Sequence, residues 1–159
     1  MRMIKILLSF AVAAWGFATG IINLVEYHSG LGAVAAVLTL EGNESVRAIT
    51  SPFVHHLAYA FIYLGKFTTG VLCLRGTLDL WQARSSSPDD FHSAKKRTVL
   101  GCGVAIFFLF FGFFVMAGAV FNPAVGPPSA LSIGFHQFAL FFIAAIGLIS
   151  LYISAREIE

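Results

Sequence analysis

Four mostly apolar stretches, residues 6–25, 53–74, 99–121 and 130–153, constrain this chain more than any other feature. Each reaches the roughly 20 residues that an α-helix needs to cross the hydrocarbon core of a bilayer. Inside that core the backbone must satisfy its own hydrogen bonds, so stretches of this kind fold as helices. Composition agrees: 58% of the residues are hydrophobic and 11% charged, against about 45–50% and about 25% in soluble domains. The chain reads as one all-α domain over residues 1–159, a polytopic membrane four-helix bundle.

The boundaries carry their own signals. Ser51-Pro52 reads as an N-cap followed by proline in the first helical turn. Asn122-Pro123 stops the third stretch, and Pro127-Pro128-Ser129 restarts the chain into the fourth. Arg2 and Lys5, with Ala11, Ala13 and Ala14 behind them, resemble the start of a signal peptide. The apolar run nevertheless continues to Val25, past the 7–15 residues of a signal core, roughly speaking. It is read as a retained helix.

Lysine and arginine are distributed unevenly. Arg2, Lys5, Arg75, Arg84, Lys95, Lys96, Arg97 and Arg156 flank one side of the four stretches, and Arg47 alone lies in the connections on the other. Positive residues stay on the cytoplasmic side. The expectation is an N-in/C-in multi-pass protein of the bacterial inner (plasma) membrane, with both termini cytoplasmic and the lipid bilayer as its surroundings. Of the connections, residues 29–52 hold a weakly apolar piece, 31–40, too short to span and expected at the interface or on the bundle mouth. Asn43-Glu44-Ser45 matches the N-glycosylation pattern, a triplet that also arises by chance. Residues 82–97, with Ser85-Ser86-Ser87-Pro88-Asp89-Asp90, read as a solvated connector.

Lipid already satisfies apolar side chains, so membrane helices pack through small and polar ones. The first stretch offers Ser9, Ala13, Gly16, Gly20 and Asn23 at helical spacing. The third offers Thr98, Cys102, Ala105, Gly112 and Ala119, its other faces forming a phenylalanine wall suited to lipid. The fourth offers Ser132, His136, Ala139, Ile143, Gly147 and Ser150. Cys73 and Cys102 lack a metal-ligand spacing and read as small apolar fillers.

The second stretch is the most informative. His56, Tyr59, Tyr63, Lys66, Gly70 and Cys73 share one face, with His55 and Thr69 beside it. A polar stripe of this length is expected to face protein. Lys66 stands fourteen positions after Pro52, hence roughly 21 Å along the helix. A lysine at that depth costs on the order of 2.5–3.5 kcal/mol on insertion scales. No stretch carries a carboxylate at its level. Three readings stay open: the amine snorkels toward the inner headgroups or makes a structural contact, it meets a lipid phosphate or another membrane subunit together with Tyr59 and Tyr63, or it serves transport.

A second constellation gathers at the opposite membrane face. Glu26 and His28 end the first stretch, His55 and His56 start the second, His136 lies about two turns into the fourth, and Met116 reaches the same level from the third. Imidazole ligates both metals and haem. A b-type haem would need two histidines on facing helices, and His56 with His136 is the pair that fits; a metal ion would draw on His28, His55, His56 and His136. The plain alternative is that these histidines satisfy loop carbonyls or water. No GxSxG, HExxH, P-loop or paired intramembrane carboxylate occurs in the sequence. Nor is there a basic stripe with interleaved aromatics that would suit nucleic acid.

Arg47-Ala48-Ile49-Thr50-Ser51-Pro52, the His-containing start of the second stretch, Gly76, the LWQAR segment and residues 91–96 together resemble a known bacterial group. The chain is similar over most of its length to the "predicted small integral membrane protein" family, a four-helix domain of unknown function. The resemblance implies the architecture and no activity. Relatives tend to carry an acidic residue near where Lys66 stands, and an acidic, tryptophan-rich motif where this chain reads Met116-Ala117-Gly118-Ala119-Val120-Phe121. Three functions follow as expectations: a non-enzymatic accessory or assembly subunit of an inner-membrane complex, a b-haem or metal-binding electron-transfer subunit, and a small transporter.

Overall fold

The computed structural model describes residues 1–39, 48–120 and 130–156, and the side chains among them except 117–120, 130–133, 135 and 136. The Asn43-Glu44-Ser45 triplet, Arg47, Asn122-Pro123 and Pro127-Pro128-Ser129 lie outside the described residues, as do the side chains of Ala119, Ser132 and His136. Helix α1 spans Arg2–Val25, α2 Tyr27–Leu38, α3 Pro52–Gln82, α4 Pro88–Ala94, α5 Lys96–Leu109 and α6 Ala130–Ser154. After α5 the chain continues from Phe110 to Val120 in a wider, π-helical winding. Four of these helical stretches are long and apolar enough to cross a membrane, and among the described residues no strand occurs.

The packing order follows from which residues touch. Gly16 meets Gly70, Ser9 meets Cys73 and Thr77, and Asn23 meets Lys66, so α1 and α3 run antiparallel along their whole length. A Cβ on Gly16 would come within 2.8 Å of the Gly70 nitrogen and the Lys66 carbonyl oxygen. Only glycine permits so close a backbone approach. Gly76 against Thr98 and Gly101 against Cys73 set α5 antiparallel to α3. Trp15 stacks on Phe142 at 5.1 Å and Lys5 reaches Ala155, which closes α6 back onto α1. The result is an up-and-down bundle of four spans with both chain ends at one end.

The interior inverts the pattern of a water-soluble bundle. At its centre lie Ala13, Cys73, Cys102 and Ala105 with Val12, Leu109 and Ile146, and beside them a hydroxyl cluster. Ser9 Oγ is 2.8 Å from Thr98 Oγ1 and from Thr77 Oγ1, and Thr77 Oγ1 donates to the Cys73 carbonyl at 2.8 Å. Outside, Leu7, Phe10, Leu57, Phe107, Phe141, Leu148 and Leu151 are exposed. In water each would forgo about 1.5–3 kcal/mol of burial. In hydrocarbon they lie in their own solvent, which is why small and polar residues hold the helices together.

Several sequence expectations need correcting. Residues 82–97 are solvated at 84–90, as expected, but folded: Ser87 Oγ caps α4 by accepting from the Asp90 amide at 3.2 Å, and Phe91 is buried with Ile6 and Leu80. α3 continues about two turns beyond the predicted 53–74 and carries Leu80 into that cluster. Ser51 occupies the N-cap position of α3 but its side chain makes no capping bond. Gly112 and Gly147 are not packing glycines, since a Cβ on either would meet open space; Gly101 takes that part in α5. The phenylalanine wall divides: Phe107 and Phe110 face outward, whereas Phe108 stacks on Phe61 at 4.3 Å across Gly65.

At the end holding both termini, basic residues are spent on backbone carbonyls. Lys95, 2% exposed, donates to Ala155 O at 2.7 Å, and Lys5, 3% exposed, donates to the same carbonyl. Ala155 follows the last turn of α6, where carbonyls lack helical partners and the helix dipole attracts cations. Arg2 binds the carbonyls of Arg84 at 2.9 Å and Ser86 at 2.7 Å, with its guanidinium 4.9 Å from the Phe91 ring centre. Arg97 pairs with Asp79 at 2.8 Å. This end is sealed.

Candidate functional site

The other end is built differently. α1 ends at Glu26, whose amide donates to the Ile22 carbonyl at 2.8 Å, and α2 begins at the next residue. α2 starts at Tyr27, earlier than the predicted 31–40, and packs on the mouth of the bundle through Leu38, which is buried with Val34, Val37, Ala58 and Met116. The Ile49 amide donates to the Leu38 carbonyl at 2.8 Å and returns the chain toward α3.

Most of the polar stripe of α3 faces protein, as its spacing suggested: Tyr59, Lys66, Gly70 and Cys73 meet α1, whereas His56 is exposed. Tyr59, read from the sequence as a partner or lipid contact, is 3% exposed and satisfied inside the chain. Its Oη donates to the Asn23 carbonyl at 2.7 Å, satisfying one of the carbonyls that the end of α1 leaves open. Gly30 of α2 sits directly over that hydroxyl, and a side chain there would collide with the Tyr59 ring. Tyr63 packs edge-on against Tyr59 at 5.9 Å between ring centres.

Lys66 makes a contact inside the chain, one of the readings its sequence left open. Helical side chains lean toward the N-terminus of their helix, and α3 starts at the end away from the termini. The lysine stem therefore climbs toward that end, opposite to the snorkelling expected, and Nζ donates to Asn23 Oδ1 at 3.3 Å. A lysine only donates, so the Asn23 oxygen is the atom turned toward it. No carboxylate among the described residues pairs with Lys66.

Above this pair lies a cavity of about 660 Å³ between α2, the first half of α3, the π-helical segment and the start of α6. Val34, Leu57, Ile62, Phe111, Met116 and Phe138 contribute to its walls, and Gly112 and Gly134 open onto it. Asn23, Tyr59 and Lys66 are its polar residues among those described. Beside Lys66 is a smaller void of about 20 Å³, bordered also by Trp15, Thr69 and Phe108. That is room for about one water. The Trp15 indole nitrogen is buried and makes no hydrogen bond among the described residues.

His28 and His56 are placed around Tyr27, a residue the sequence reading passed over. His56 is exposed, stacks on the Tyr27 ring at 5.8 Å, and its Nδ1 is 2.7 Å from Tyr27 Oη. His28 is exposed and stands edge-on to the same ring at 6.0 Å. His55 is buried and its Nε2 donates to the Ile49 carbonyl at 2.7 Å, tying down the lead into α3. Among the described residues no three His, Cys, Asp or Glu side chains converge as metal ligands. Asn23 was visible only as one position of a packing stripe. Its position at the end of α1 was the available signal, because the last turn of a helix always leaves carbonyls to be satisfied.

A family model described as "Predicted small integral membrane protein" matches residues 1–153 of this chain. No curated protein and no solved structure matches it.

Proposed function

This chain belongs to the family of predicted small integral membrane proteins, and on that premise we propose that it is a non-enzymatic accessory subunit of a bacterial inner-membrane complex, oriented N-in/C-in, that holds a hydrophobic small molecule in its cavity. The observation that carries this reading is the cavity itself. Its volume of about 660 Å³ falls inside the range of roughly 300–1,000 Å³ typical of ligand sites. Apolar walls with a few convergent polar groups are also the usual build of such a site. Absence of enzyme motifs from the sequence supports a binding role, and the concentration of basic residues at the terminal end supports the orientation. Open space over Gly103 and Gly147 gives a neighbouring helix room for close approach, which supports membership of a larger assembly.

The test is extraction of the purified full chain in lipid nanodiscs, followed by mass spectrometry of small molecules. Ala58 faces the cavity and is half-buried, so Ala58→Trp fills it. A compound enriched in wild type and missing from Ala58→Trp, at equal thermal stability, is the expected result. Identical extracts from both proteins would remove the ligand-holding role.

A further inference from the structure

We propose that the cavity binds a single-chain amphiphile carrying an anionic head, inserted head-first so that the head meets Lys66 and Asn23 at the cavity floor, beside the small void that Trp15 borders. This rests on the ligand-holding role above and names the chemical class of the ligand.

The case is a count of donors and acceptors. Lys66 brings three N–H groups and a charge, and one of them reaches Asn23 Oδ1. The Asn23 side-chain amide brings two more donors and makes no hydrogen bond as a donor among the described residues. Trp15 Nε1–H is buried without a partner and borders, with Lys66, the small void next to the cavity. The backbone acceptors nearby are taken: the Asn23 carbonyl accepts from Tyr59, and the Gly65 carbonyl from Thr69 Oγ1 at 3.0 Å. The floor thus has a surplus of donors, a positive charge and no described carboxylate.

Hydrocarbon makes that surplus expensive. An unmatched ammonium inside a membrane is costly even on the scales that treat it most leniently. An anion with two or more lone pairs satisfies the charge and the spare donors at once, whereas a neutral alcohol or ketone satisfies one donor and leaves the charge. Carboxylate and phosphate monoester heads share this chemistry. Everything above the floor is apolar, which suits a hydrocarbon tail lying beneath α2 toward the mouth. The space is that of one ligand; the second chain of a phospholipid would remain outside.

Sequence position explains why the floor is there. Asn23 is the last polar residue of α1 and Lys66 the only charged residue in the membrane-spanning part of α3. Gly16 and Gly70 bring those two helices into backbone contact just below. The close crossing places the lysine stem against α1, from where it extends to Asn23.

The experiment measures binding of hexadecanoate, hexadecyl phosphate and hexadecan-1-ol to the full chain in nanodiscs. The variants are Lys66→Met, Lys66→Arg and the cavity-filling Ala58→Trp. Wild type should bind at least one of the two anions roughly tenfold or more tighter than the alcohol, the size of one charge-assisted hydrogen bond. Lys66→Met should lose that preference while still binding the alcohol, and Lys66→Arg should keep it. Preference for hexadecanoate assigns a free acid as the ligand class; preference for hexadecyl phosphate assigns a phosphate-headed lipid. Equal binding of anions and alcohol, abolished by Ala58→Trp, would overturn the anionic head and leave the ligand-holding role standing. Lack of binding by all three probes would overturn both.

Discussion

The two ends of this bundle use the same kind of residue to opposite effect. At the terminal end Lys5 and Lys95 are buried and share the Ala155 carbonyl, and Arg2 binds two further carbonyls. Helix ends there are closed by side chains of the same protein. At the other end Lys66 has a neutral partner, the Trp15 indole nitrogen has no hydrogen-bond partner among the described residues, and a volume of about 660 Å³ lies between the helices. A cation that meets the negative end of a helix stabilises the fold. A cation that meets a cavity stores a demand for something else. The first end is built for stability and the second for occupancy.

The contrast can be broken at its strongest joint first. Gly16→Leu forces a side chain into the Gly70 backbone, and overpacking of this kind costs about 3 kcal/mol or more. The variant is expected to aggregate in detergent at temperatures where Gly112→Leu, placed over open space, remains intact. Equal melting of the two would mean that the α1–α3 contact does not organise the bundle.

The lysines separate the two ends directly. Lys95→Met removes a buried, charge-assisted bond to Ala155 and should lower stability by roughly 1.5–3 kcal/mol. Lys66→Met removes a cation whose insertion is costly and should leave the ligand-free protein as stable as wild type or more so. Thermal denaturation of both variants in detergent, after removal of bound small molecules, reads the sign of each change. A loss of stability in Lys66→Met comparable to that in Lys95→Met would show that Lys66, too, is structural.

Smaller effects sharpen the picture. Gly30→Ala displaces the Tyr59 ring from beneath α2 and should cost about 1 kcal/mol, with the cap on the Asn23 carbonyl weakened and cavity binding reduced. Orientation is read with almost no energetic change. The native cysteines are both buried, so a single exposed cysteine reports alone. Ser86→Cys is expected to react with a membrane-impermeant maleimide only in opened cells, and Thr50→Cys in intact ones; the reverse pattern would invert the proposed topology.

Much of this molecule was legible before its tertiary structure. Apolar length set the four spans, because a backbone in hydrocarbon has no other way to satisfy its hydrogen bonds. Their even number placed both termini at one end. Helical spacing marked Ser9, Ala13, Gly16 and Gly20 as the packing face of α1, and all four are buried. It equally placed most of the stripe of α3 against protein. These are periodic properties, and periodicity is local information.

What the tertiary structure alone decided concerns partners distant in sequence. Which glycines meet a neighbour, Gly101 and not Gly112, depends on where α5 crosses α3. That Lys66 turns to Asn23 depends on the direction α3 runs relative to α1, and that residues 82–97 fold depends on the room between Ile6 and Leu80 for Phe91. The cavity has no sequence signature at all. It is volume left where α2, α3, α6 and the π-helical segment fail to close, and empty space arises only from how finished helices meet.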